Sequence, residues 1–195
     1  MRKRKSVQER KEEVFSAINQ IIAEKGFSEV STTEVAKKLG VTQPAIYKYF
    51  SSKDEMILYY LDYIEQQLKE ILKKAQSKEN VEEQLKTIYQ EYLLFIEKTK
   101  IIPRIIFSDV IYLGSDKKLK RLKDILQGFE KHIKEIFKKG KEKGLFNNYD
   151  EEALVKFYTG SMLSLSLDWM INNMNYPLSS KADYLFNHFK KGFFN

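Results

Sequence analysis

Apolar residues recur at three- and four-residue intervals along nearly all of this 195-residue chain. No stretch alternates polar with apolar residues long enough to form a half-buried strand. That periodicity predicts an all-α fold. Helix breakers are scarce as well, with eight glycines and three prolines in the whole chain. The spacing predicts about nine helices. They lie at 7–25, a short one ending at Gly40, another within 42–50, then 53–75, 79–99, 102–113, 116–143, 150–174 and 179–193.

Local signals punctuate these helices. Ser6 and Glu9 stand at capping-box spacing before the first one, and Gly26 supplies its stop. Ser31 with Glu34 and Ser52 with Glu55 repeat that spacing before the second and fourth helices. Thr42 is placed to cap the third, where Pro44 is tolerated because the first helical turn has no acceptors for its N–H groups. The expected division is a head over residues 1–52 and a larger helical part over 53–195.

Composition removes several chemistries. There is no cysteine, so neither a disulfide framework nor a thiolate metal site or nucleophile is available. Residues 2–5 are basic and polar residues follow, without the apolar run of a secretory signal, so the chain is expected to be cytoplasmic. The most apolar segment, 157–167, is about half the length that spans a bilayer, so no membrane association is expected. His132 and His188 have no partner at metalloprotease spacing, and no glycine-rich phosphate loop occurs. Neither a catalytic residue, a metal nor a cofactor is therefore expected. Asp109 and Asp168 in their apolar surroundings read as hydrogen-bonding groups.

The formal net charge is +7. It is concentrated at one end, with 11 Lys and Arg against six Asp and Glu in residues 1–53. A polyanionic partner for that end follows as an expectation. Residues 98–143 carry 14 bases against six acids. Runs such as Lys117–Arg121 normally form solvated helix faces, and an acidic ligand such as an acyl-CoA is the alternative.

A short helix, a glycine turn and a second short helix make up a helix-turn-helix, in which the second helix enters the DNA major groove. Val35, Leu39, Val41 and Ile46 offer apolar contacts between the two helices. Ala36 allows close approach, and Gly40 can adopt positive φ. Phe27 and Phe50 can seal the unit. Outward residues of the second helix are Thr42, Gln43, Ala45, Lys48 and Tyr49, with Tyr47 at its flank. Glutamine can pair with an adenine edge, alanine or proline can meet a thymine methyl, and lysine can reach guanine or phosphate. Threonine and tyrosine hydroxyls can donate to phosphate. Lys53, in the first turn of the following helix, adds a phosphate site. Spacing alone is also compatible with an ordinary helical bundle.

The run Thr32-Thr-Glu-Val-Ala-Lys-Lys-Leu-Gly-Val-Thr-Gln-Pro-Ala-Ile-Tyr-Lys-Tyr-Phe-Ser-Ser-Lys53, preceded by Lys25-Gly-Phe27, resembles the DNA-binding head of TetR-type transcriptional regulators. The likeness covers about residues 7–60 and rests on several features occurring together. These are the glycine-aromatic pair, the threonine before the first short helix, the Gly-Val turn, the Ile-Tyr-x-x-Phe pattern and the lysine after it. The resemblance implies that Thr33, Tyr47, Tyr49 and Lys53 lie at phosphates, and Thr32 is counted with them among the DNA-binding residues. It implies further that Gln43, Pro44, Ala45 and Lys48 face bases, and that the remaining chain forms a dimerisation and effector-binding bundle.

Residues of the second part fit that implication. The segment 150–174 is apolar around most of its circumference, with Gly160, Ser161 and Ser164 permitting close helix approach. Packing against a second copy through the last two helices, with Tyr184, Leu185, Phe189 and Phe193, is the expectation. An apolar or acyl-type effector is expected to contact Tyr63, Tyr92, Ile105, Phe107, Ile111, Phe129, Met162 and Trp169. The partners expected are thus an operator duplex, a second copy of the chain and a small effector. The function expected is ligand-released repression from a palindromic operator. Activation on the same scaffold and a protein-interaction module with incidental DNA affinity are the alternatives.

Overall fold

The computed structural model describes residues 6–113, 116–146 and 149–195, and of Val7 and Gln8 only the backbone. The basic residues 2–5, expected to add a phosphate-binding arm, and the joint at 114–115 lie outside the described residues. Ten α-helices form among the described residues, and no strand. They are α1 (Val7–Lys25), α2 (Thr32–Leu39), α3 (Gln43–Tyr47), α4 (Lys53–Gln76), α5 (Val81–Thr99), α6 (Ile102–Ile106), α7 (Asp109–Tyr112), α8 (Asp116–Glu142), α9 (Glu151–Ile171) and α10 (Ala182–Phe193). The tenth arises because the expected helix over 102–113 is broken. Phe107 leaves helical geometry, and the Ser108 hydroxyl accepts the Val110 N–H and starts a new turn.

The chain divides into two compact units. One holds Met1–Tyr63 with Thr99–Leu122, the other Ile64–Lys98 with Lys123–Asn195. In the first, α1 buries Val14, Ile18, Ile21 and Ile22 along one face, as its spacing requires. Phe27, Val35, Ile46 and Phe50 are buried in the same unit, as are Met56, Ile57, Tyr60 and Leu61 of α4, and Phe27 stacks on Tyr60. Phe15 stacks on Tyr59 and Tyr63 with centroids 4.9 and 4.5 Å away. Arg104 donates to the Ile22 carbonyl near the end of α1, a second bond beside that from the Gly26 N–H, and places a cation at the negative end of the helix dipole.

In the second unit, aromatic edges meet around Tyr158. Its ring lies 5.5 Å from Tyr89, 5.7 Å from Phe137 and 5.4 Å from Phe189, each pair near perpendicular. Such pairs add about 0.5–1.5 kcal/mol each beyond their buried area. Gly140 is required where the chain turns back, since a Cβ there would stand 2.3 Å from a carbon of the Phe146 ring. The expected helix to residue 174 stops earlier, at Ile171. Asn173 takes φ 55°, and the Met174 N–H returns to the Trp169 carbonyl at 2.8 Å, a Schellman closure that the asparagine tolerates.

Candidate nucleic-acid interface

The turn between α2 and α3 is built on Gly40, whose φ of 63° places it in the left-handed region. Its N–H and that of Val41 return to the end of α2, the latter to the Ala36 carbonyl at 3.0 Å. With Val35 and Ile46 fully buried and Ala36 nearly so, α2 and α3 pack closely and the opposite side of α3 faces outward. Thr42, Pro44, Tyr47 and Lys48 are exposed there, while Gln43, Ala45 and Tyr49 are half-buried. Thr33 is exposed on α2, and Lys53 is half-buried as the first residue of α4. The helix is shorter than the two turns expected, five residues in all. Thr42 occupies the N-cap position without a side-chain capping bond, contrary to expectation, so its hydroxyl is not consumed by the helix.

Thr32 differs from its neighbour. It is only 5% exposed, and its hydroxyl accepts from Gln43 Nε2 at 3.0 Å and donates to the Tyr47 hydroxyl at 3.4 Å. Its side chain therefore joins α2 to α3 and faces inward, although Thr32 was expected among the residues that contact DNA. Tyr47 keeps its own hydroxyl hydrogen for an outside acceptor.

Capping differs between the helices. Ser6 and Glu9 close a full capping box. Ser31 accepts the Glu34 N–H, yet the Glu34 carboxylate turns to Lys25 of α1. That hydrogen bond raises the Lys25 pKa and lowers that of Glu34. Lys38 pairs with Glu24 at 2.7 Å, so both lysines are balanced within the head. At α4, Ser52 accepts the Glu55 N–H, while the Glu55 carboxylate takes the Ser51 hydroxyl and N–H at 2.6 and 2.5 Å. Those bonds hold the Glu55 carboxyl below its ordinary range, the hydroxyl contributing most.

One contributor was not expected. Lys118 lies in a run assigned to a solvated face, yet it is 5% exposed and its ammonium meets Asp54 at 2.8 Å in the first turn of α4. Arg121 reaches Asp62 further along α4 at 2.7 Å. The start of α8 thus holds the helix that carries Lys53. A lysine within a basic run carries no local sign of burial, and its partner is 64 residues away.

Of the residues expected at an effector, Tyr63, Ile105, Phe107 and Ile111 belong to the first unit and Tyr92, Phe129, Met162 and Trp169 to the second. Phe107 is 59% exposed and does not line an interior. Tyr63 is half-buried, and Ile105 and Ile111 are buried. Tyr92 stacks on Phe129 at 6.0 Å, and burial pushes its hydroxyl well above the usual phenol range, leaving it neutral. The Trp169 indole donates to the Tyr176 carbonyl at 2.7 Å. Met162 is buried.

The sequence profile of bacterial regulatory proteins of the tetR family matches residues 14–60, and that of the YsiA-like protein C-terminal region matches residues 60–192. The second match alone spans more than half of the chain. This chain belongs to the TetR family. It is a transcriptional regulator by family, and residues 14–60 are the TetR-family helix-turn-helix head just described. Relatives include the nucleoid occlusion factor SlmA of Glaesserella parasuis, 28% identical over 167 residues and covering 83% of each chain. The same TetR-family fold recurs in the fatty acid degradation regulator FadR of Bacillus halodurans, with a TM-score of 0.83, 20% identity and coverage of 97% and 98%. It recurs again in FadR of Bacillus subtilis, solved in complex with stearoyl-CoA, with a TM-score of 0.80, 17% identity and coverage of 93% and 98%. Among the described residues of this TetR-family chain, no helix is long and apolar enough to cross a membrane.

Proposed function

We propose that this protein is a homodimeric repressor that leaves a palindromic operator when a small effector binds. The observation that carries the DNA part is the polarity of α3. Ile46 is fully buried, while Thr42, Pro44, Tyr47 and Lys48 stand exposed on one short helix and its two caps, which the Gly40 turn presents. In this reading Gln43, Pro44, Ala45 and Lys48 face the bases, and Thr33, Thr42, Tyr47, Tyr49 and Lys53 engage phosphates. We place the boundary of the DNA-binding head at residue 52, before α4.

The dimer reading rests on α9. Phe157 is 61% and Ile171 75% exposed, and Gly160 between them has open space where a Cβ would be. With Ala153, Ser164 and Leu167 these residues follow one another at four- and three-residue steps, a helix stripe that another helix can approach closely. Tyr184 on α10 is exposed as well. Two-fold pairing through α9 and α10 would require half-sites related by the same symmetry.

The effector reading rests on the aromatic interior around neutral Tyr92 and Phe129 and on the lysines of α8 in the same unit, from Lys123 to Lys141, which together suit an apolar chain with an acidic head. The stearoyl-CoA bound by the Bacillus subtilis FadR is of that chemistry. Because α4 is continuous from Lys53 to Gln76, a change at its far part can displace the phosphate-contacting start. Ligand and operator affinities would then be reciprocally coupled. The test is to select bound fragments from the source genome, then titrate the complex with stearoyl-CoA and shorter acyl thioesters. Enrichment of a palindrome released by one of them supports the reading. Failure to enrich any sequence removes the DNA part, and operator affinity unchanged at saturating effector removes the ligand part.

The relatives named nucleoid occlusion factors favour a second reading, in which DNA binding by this chain serves nucleoid occlusion. Many dispersed sites in the same selection, insensitive to every acyl thioester, would support it over repression.

A further inference from the structure

Gln43 is not free to turn. Its Nε2 donates to Thr32 Oγ1 at 3.0 Å, and the same oxygen donates onward to the Tyr47 hydroxyl at 3.4 Å. A threonine hydroxyl has one hydrogen and two lone pairs. Here the hydrogen points to Tyr47 and one lone pair receives Gln43. The anchor is itself fixed, since Thr32 is 5% exposed at the start of α2, between a capping Ser31 and the exposed Thr33.

A primary amide offers two N–H donors and one carbonyl oxygen. An untethered glutamine can direct both donors at guanine, whose major-groove edge presents the N7 and O6 acceptors. Alternatively it can direct one donor and its oxygen at adenine, which presents N7 as acceptor and its N6 amino group as donor. With one N–H held by Thr32, Gln43 keeps one N–H and the oxygen. That set complements adenine and fails guanine, where the oxygen would oppose an acceptor.

We propose that Thr32 is a positioning residue for base specificity: through Gln43, its buried hydroxyl makes α3 read adenine against guanine. The inference rests on the DNA-binding reading above, and Thr32 acts without touching the duplex. It assigns the two adjacent threonines different duties, Thr33 outward and Thr32 inward.

The experiment is selection from a duplex library with a randomised centre by the wild type, Gln43→Ala, Thr32→Val and Thr32→Ser. The position whose preference vanishes in Gln43→Ala is the base that Gln43 reads. There the wild type should favour adenine over guanine on the order of tenfold. Thr32→Ser, which keeps the hydroxyl, should retain that ratio. Thr32→Val should bring it towards parity while preferences at other positions stay as they were. A merely structural role would weaken all positions together. An unchanged adenine preference in Thr32→Val overturns the proposal, as does a wild-type preference for guanine or the lack of any position sensitive to Gln43→Ala. Should Thr32→Val fail to fold, the wild type is measured with that adenine replaced by purine or by 7-deazaadenine. Each removes one of the two bonds and should weaken binding, and indifference to both overturns the proposal. A wild type that enriches no sequence refutes DNA binding itself, a distinct outcome.

Discussion

Two outward surfaces of this chain, that of α3 and that of α9, are opposite in chemistry although both belong to helices buried on their other side. On α3 and its two caps the exposed residues are Thr42, Pro44, Tyr47 and Lys48, two hydroxyl groups, a proline ring and an ammonium around a five-residue helix. On α9 they include Phe157, Gly160 and Ile171 within 21 residues. A polyanion rewards donors and positive charge and needs little buried apolar area, whereas another helix rewards apolar contact and close backbone approach. A short helix can therefore serve the first purpose if its neighbours hold it rigidly. The difference teaches that α3 depends on its surroundings for its geometry, while α9 carries its own.

The strongest way to break the comparison is to remove the support beneath α3. Ile46 is fully buried, and Ile46→Ala should cost about 2–5 kcal/mol of head stability and abolish DNA binding at moderate temperature. Denaturant unfolding together with anisotropy on a selected duplex measures both. Retained binding with lowered stability would mean that α3 needs less support than its length suggests.

Next comes the surface of α9. Phe157→Glu places a charge on the exposed stripe without removing any buried residue, so the monomer should stay folded while the dimer weakens by about 2 kcal/mol, roughly thirtyfold. Sedimentation against concentration, with circular dichroism as the control for folding, decides it. An unaffected dimer would move the interface away from α9.

A smaller effect separates charge from shape at the DNA face. Lys53→Ala leaves the turn and α3 intact and should lower affinity for all sequences alike, reducing the slope of log K against log salt by about one. An unchanged slope would remove Lys53 from the phosphate contacts and leave the start of α4 to act through its Ser52-capped backbone.

These two surfaces also differ in how far they could be read beforehand. The helices themselves were legible because periodicity is local, and so were Gly40 and the apolar seam of Val35, Ala36 and Ile46. The abundance of apolar residues on α9 led to the expectation of burial on more than one side, whereas the chain itself buries one face and leaves Phe157 and Ile171 exposed. What escaped was choice among partners. Glu34 sits at capping-box spacing yet answers Lys25 of another helix, and Thr32 turns inward while the identical Thr33 turns out. Lys118 is buried against Asp54 although it stands among exposed Lys117 and Lys120. Each of those outcomes is decided by a group distant in sequence, and spacing carries no information about it.

Glu55 supplies the finest probe of the contrast, because the segment joining α3 to α4 has no buried seam of its own at Ser51 and Ser52, both exposed. The Glu55 carboxylate accepts two bonds from Ser51, and its pKa is depressed for that reason, first by the hydroxyl and then by the N–H. A carboxyl more acidic in the folded than in the unfolded chain contributes stability above the unfolded pKa, and loses it as pH falls through the folded one. Wild type should accordingly be slightly more stable than Glu55→Gln at neutral pH, and the gap should close below about pH 5. Thermal melts of both proteins across that range measure it. Full solvent exposure makes this the smallest of the expected effects, and a gap that persists or widens on acidification would show that the Ser51 bonds do not fasten the start of α4.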